Sequence, residues 1–200
     1  MTHLLRTCLA TVLLGLLPSI ALAHTGAGDA HGFAHGFFHP LTGIDHVLAM
    51  VAVGILAWQC GGRALWAVPL AFVAVMVAGG VLGVSGLDLP FVEIAIALSV
   101  VVLGTAVALG ITLPLAAAMG LAGVFALFHG HAHGAEMPED ASGLAYGLGF
   151  VLATAALHLA GLGLGMGIAR LGERHGAALV RMSGAAIALG GVALLARLSV

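Results

Sequence analysis

Six windows of about 20 predominantly apolar residues, the length a bilayer-spanning helix requires, follow one another along this chain. They lie at roughly 42–60, 64–84, 90–110, 112–129, 142–169 and 176–198. Between them stand CGGR at 60–63, VSGLDLP at 84–90, GITLP at 110–114, EMPED at 136–140 and RLGERHG at 170–176, all turn-forming in character. With 62% hydrophobic and 7% charged residues in a chain of 200, the composition excludes an ordinary soluble domain. The expectation is an all-α, polytopic membrane protein, a six transmembrane helix bundle. The break at 110–114 is so short that the third and fourth spans form a tight hairpin, or one of them is broken.

Ahead of these windows the chain reads like a signal peptide: Arg6 in a short leading region, an apolar run, and ALA at 21–23 as the cleavage site. An uncleaved first span is the alternative. Cleavage divides the chain into 1–23, removed, and 24–200, a six-helix transmembrane domain whose N-terminus is periplasmic. That N-terminal stretch carries His24, His31, His35 and His39, and can meet metal before the membrane does. Arginine near span ends favours the cytoplasmic side. Six spans from an external start put Arg63, Arg170, Arg174 and Arg181 inside and Arg197 alone outside. The outer loops then hold Asp88, Glu136, Glu139 and Asp140 and no arginine.

Lysine is absent and the six basic residues are dispersed arginines, so no patch exists to hold nucleic acid. Cys8 and Cys60 stand in separate apolar stretches without metal-ligand spacing. The 31 glycines recur within the spans, where small residues let helix backbones approach closely. A three-plus-three internal repeat is compatible with this pattern, although the sequence does not demonstrate it.

Against that background the 11 histidines stand out, and two stretches concentrate them. In HPLTGIDHVLAM, Pro40 is expected to stop a helix from extending backwards, with Thr42 as N-cap and Asp45 in capping-box position. Capping explains Asp45 alone; it does not explain His39 before it or His46 after it. His46 and Met50 share a helix face four residues apart, so Met50 is either a thioether ligand or packing. In FHGHAHGAEMPED, a fourth helix continuing to 136 sets His129, His133 and Glu136 on one stripe and turns His131 away. Two imidazoles and a carboxylate on one face suit a divalent Ni, Co, Cu or Zn ion. The alternative is a solvated loop with incidental histidines.

Glu93, near the external start of the third span, and His158, mid-way along the fifth, are ionisable residues in apolar surroundings. Such residues cost about 2.5–3.5 kcal/mol when charged and by default line a cavity or pathway. His175 reads as surface. The polar residues thus gather at the external ends of the first, third and fourth spans, with His158 deeper.

At these residues the chain resembles the HupE/UreJ family of bacterial membrane proteins, with signatures similar to H-P-x-x-G-x-D-H-x-x-x-M and F-H-G-x-A-H-G-x-E. His39, Pro40, Gly43, Asp45, His46 and Met50 match the first; Phe128, His129, Gly130, Ala132, His133, Gly134 and Glu136 match the second. The resemblance implies a nickel permease serving hydrogenase or urease maturation, with His39, Asp45, His46, His129, His133 and Glu136 handling metal. His131, His31 and His35 lie outside the fixed positions.

The reading is therefore an inner-membrane importer of Ni(II) or Co(II), with the divalent ion as cargo and the lipid bilayer as surroundings. It collects the ion at an external His/Asp/Glu site and passes it inward past His158 and Glu93. No cofactor or enzymatic activity is expected. Two other readings compete: an intramembrane His-rich metalloenzyme, and a metal-binding membrane protein that does not transport. The first lacks the paired histidine boxes of oxygen chemistry and the HExxH of zinc proteases.

Overall fold

The computed structural model describes residues 28–137, 142–170 and 172–198. The expected signal peptide, 1–23, lies outside the described residues, as do His24, Glu139 and Asp140 and the side chains of His31 and Arg174. Among the described residues are seven helices and no strand: α1 (Gly28–Thr42), α2 (Ile44–Cys60), α3 (Ala64–Val84), α4 (Val92–Leu109), α5 (Leu115–Ala135), α6 (Gly143–Ala169) and α7 (Glu173–Leu198). Helices α3 to α7 each include a stretch long and apolar enough to cross a membrane. Helices α1 and α2, bent by 81° at the break between them, together have the length and apolarity of a sixth, either as a broken span or as a re-entrant pair.

Spans and turns agree with local chemistry. Gly110 closes α4 in the left-handed conformation (φ 65°), which glycine adopts without a Cβ clash. Pro114 is the N-cap of α5, so α4 and α5, the third and fourth of the expected spans, are joined by a tight turn. Helix α5 runs on to Ala135, with Glu136 as its C-cap. It therefore overruns the expected end at 129 and carries the histidine stripe as helix.

The start of the first span departs from expectation. Pro40 lies inside α1 and does not end it. The N-cap of α2 is Gly43, with no side-chain cap bond. Thr42 Oγ1 instead donates to the carbonyl of His39 (2.7 Å), and the Asp45 carboxylate turns to His46. Long-range packing explains the difference. A methyl on Gly36 would strike the carbonyl oxygen of Tyr146, and one on Gly149 would strike that of Phe33. Helix α1 is thus locked along the start of α6, and this contact outweighs the single intrahelical bond that a proline forfeits.

Besides the α1–α6 contact, the bundle is built from three close helix pairs, none of them sequence neighbours: α2 with α6, α3 with α5, and α4 with α7. Their contacts repeat. Gly54 of α2 abuts the carbonyl of His158, and Gly130 of α5 abuts that of Met76. Gly161 of α6 abuts the carbonyl of Val51, and Gly79 of α3 abuts that of Leu127. In the third pair, Gly104 meets the backbone nitrogen of Ala188 and Gly184 meets that of Ala108. Each contact turns into its counterpart when α2–α4 is exchanged with α5–α7 at constant sequence steps. With three helices in each half, the two halves run in opposite senses, which is the arrangement of an inverted repeat. Helix α1 stands outside this symmetry.

Candidate metal site

At the end of the bundle where α1 meets α2 and α5 terminates, four histidines from three helices form a continuous ring-to-ring series. Ring centroids are 4.7 Å apart for His39 and His133, 4.2 Å for His133 and His46, and 4.6 Å for His46 and His129. His129 is fully buried, His133 is 3% exposed and His46 is 7% exposed. A cavity of about 210 Å³ opens beside them, its wall including His39, Asp45, His46, Glu93, His133 and Glu136.

Gly43 makes the bend compatible with the Asp45–His46 pair. A Cβ there would sit 2.8 Å from the Asp45 carboxylate and 3.1 Å from the His46 ring. Asp45 Oδ1 accepts from both the backbone N–H and the Nδ1–H of His46 (2.7 and 2.8 Å). With Nδ1 committed, Nε2 of His46 keeps its lone pair, is buried and has no partner. A carboxylate that fixes the tautomer of a ligating imidazole is a common feature of metal sites.

Ser99 does the same for His129. Its hydroxyl donates to the carbonyl of Ile96 (2.6 Å), so it can only accept from Nε2 of His129 (2.9 Å). The Nδ1 lone pair of His129 is left buried and unpartnered. Among the described residues neither nitrogen of His133 has a hydrogen-bond partner. A buried polar group without a hydrogen bond costs about 1–3 kcal/mol, and a metal ion bound to any one of these nitrogens would offset that cost for it.

The tightest grouping is His39, His133 and Glu136, with one ligand atom from each lying within 4.8 Å of the others. Nε2 of His39 already donates to Glu136 Oε2 at 3.1 Å. His39 and Glu136 have side chains 29% and 57% exposed, so the grouping spans the boundary between the bundle interior and its open end.

The remaining sequence candidates take different places. Glu93 is exposed on the cavity wall in the first turn of α4; it belongs to the mouth and does not lie beyond His158 on an inward path. Met50, one turn below His46, is fully buried in the apolar core with Val53, Phe72 and Met76. His158 lies deeper, 1% exposed, with both nitrogens unpartnered. His131 faces away and donates to the carbonyl of Leu87 (2.6 Å), tying α5 to the segment after α3. His175 is exposed. Sequence reasoning missed Ser99, whose signal was a lone hydroxyl in the apolar run ALSVVV. It also missed Tyr146, whose ring lies 6.4 Å from His39 and 5.9 Å from His35.

An all-helical, multi-pass bundle that brings imidazoles and carboxylates together at one end is the architecture of a membrane protein that handles metal ions. The chain belongs to the HupE/UreJ family, whose model matches residues 11–194. It is similar to Protein HupE of Rhizobium leguminosarum bv. viciae, 49% identical over 179 residues that cover 90% of this chain and 92% of the relative. No solved structure matches it. Family membership makes it a membrane protein of metal-permease type, concerned with nickel or cobalt transport, and not an enzyme.

Proposed function

We propose that the protein imports Ni(II), or Co(II), across the bacterial inner membrane to supply a metalloenzyme such as hydrogenase or urease. The ion is captured from the periplasmic side by His39, His133 and Glu136. It is then passed to His46 and His129, whose tautomers Asp45 and Ser99 hold ready. Glu93 adds negative charge at the mouth, Met50 a thioether below His46, and His158 a deeper ligand on the way in. The single observation that carries this reading is the approach of His39, His133 and Glu136 ligand atoms to within 4.8 Å, from the end of α1 and the end of α5.

Orientation follows from charge. An outward-facing histidine end is supported by Arg63, Arg170 and Arg181 in or next to the turns at the other end, against Arg197 alone on the histidine side. A dication moving inward through 100 mV, negative inside, gains about 4.6 kcal/mol, twice the unit-charge value of about 2.3. Import down that gradient requires no nucleotide.

Radiolabelled nickel accumulation in cells expressing His133→Ala or Asp45→Ala tests the assignment. Both variants should accumulate far less nickel than the wild type at equal protein level. Undiminished uptake in both removes the site. Flux of Ni, Co, Cu and Zn into proteoliposomes holding a metal-sensitive dye separates transport from binding alone.

A further inference from the structure

We propose a second metal station on the pseudo-two-fold axis of the two halves, formed by the imidazole of His158, the thioether of Met76 and the hydroxyl of Thr154. The ring of Phe72 partitions it from the outer cluster. This extends the transport reading above, since an ion leaving His129 must pass this centre.

The repeat supplies the first argument. The step that carries Gly79 to Gly161 also carries Met76 to His158 and Phe72 to Thr154. The Phe72–His158 contact, ring centroids 5.0 Å apart, therefore has a counterpart in the Thr154–Met76 contact at 3.6 Å. Both join α3 to α6. A contact whose counterpart links the same two helices must straddle the axis, so these four residues surround it. Transporters built from inverted repeats keep their substrate site near the membrane midplane, at the interface of the repeats.

The two halves also differ in their chemistry at the axis. At equivalent positions the first half presents Phe72 and Met76, whereas the second presents Thr154 and His158. Packing alone has no need of an imidazole there. His158 is 1% exposed, and a histidine retained for structure would hydrogen-bond; among the described residues neither of its nitrogens does. Thr154 is fully buried beside it and donates only to the Met76 sulfur. One imidazole, one thioether and one hydroxyl hold a first-row dication more weakly than the outer set, which suits an ion that must leave again.

Phe72 is the partition. Its ring is fully buried, 5.8 Å from His129 and 5.0 Å from His158. The imidazole series of the outer cluster therefore stops at this ring and resumes behind it. An ion crosses only when the ring turns aside.

Purified full-length protein in detergent, mixed rapidly with Co(II) and followed by cobalt absorption, tests the proposal. The wild type should bind one ion quickly and a second more slowly. His158→Leu should lose the second ion and keep the first. Met76→Leu, nearly volume-conserving, should weaken the second alone, and Phe72→Ala should let the second arrive as fast as the first. A His158→Leu protein that binds both ions like the wild type overturns the axial station. So does a wild type holding one ion that His133→Ala abolishes and His158→Leu leaves untouched, a result that spares the outer site. Retention of both ions by His133→Ala, with loss of one in His158→Leu, strikes the outer site and supports the axial one.

Discussion

The imidazoles of His46 and His133 lie 4.2 Å apart, centroid to centroid, although one belongs to the first half of the repeat and the other to the second. Their meeting joins the two halves at the candidate metal site. Any rearrangement of α2 against α5 would change the geometry offered to an ion.

Asp45→Asn keeps the size of the side chain and removes the carboxylate that fixes His46. Loss of such an orienting partner typically costs about 10- to 100-fold in metal affinity. Equilibrium binding of Ni(II) to the purified variant should show that loss with the thermal unfolding temperature near that of wild type. Unchanged affinity would mean that His46 is not a ligand.

Ser99→Ala frees His129 to take either tautomer. Affinity should fall, by no more than about tenfold, because the ring remains boxed in and only its proton is released. Calorimetric titration of the variant against wild type measures this. If Ser99→Ala binds as well as wild type while His129→Ala does not, the serine serves packing and not tautomer control.

His131→Ala is the control within the same helix. It removes a bond to the Leu87 carbonyl and no proposed ligand. Stability should drop by about 0.5–1.5 kcal/mol, the net worth of a hydrogen bond to a carbonyl that water can reach, with metal affinity within about twofold of wild type. Parallel unfolding and binding curves decide, and a large loss of affinity would bring His131 into the site.

Gly54→Ala and Gly130→Ala place methyl groups against equivalent backbone carbonyls in the two halves. Each should destabilise the bundle by about 1–3 kcal/mol or more, as overpacking does. Gly120→Ala and Gly163→Ala meet nothing within 4 Å and should be neutral or slightly stabilising. Thermal unfolding of the four variants in one detergent checks both the close pairs and their equivalence. A tolerant Gly54 beside an intolerant Gly130 would contradict the repeat.

Much of the candidate site was legible because its parts are local. His129, His133 and Glu136 share a stripe through helical periodicity alone, and α5 does extend far enough to express it. Met50 and Glu93 show the limit of that reasoning. A shared face with His46 does not say whether Met50 meets the cavity or the core. Proximity to a span end does not say whether Glu93 lies at the mouth or along a path. The capping reading of Thr42 and Asp45 failed for a related reason. Both side chains had a local backbone partner available, yet the structure commits Asp45 to His46 and extends α1 through Pro40 because Gly36 is pressed against α6.

Sequence by itself determined the helical class and the approximate places of the long apolar helices, since an uninterrupted apolar stretch in a bilayer must satisfy its own backbone as helix, but not the break at Gly43 or the run of α5 past 129. It also marked the histidines as the residues with chemistry to perform. Only the tertiary structure decided which helices pair, that the pairing repeats with opposite sense, and that His46 and His133 face each other while the ring of Phe72 packs near both His129 and His158. Those outcomes depend on glycine faces finding partners far away in the chain, and a face carries no record of its partner until the two backbones are packed together.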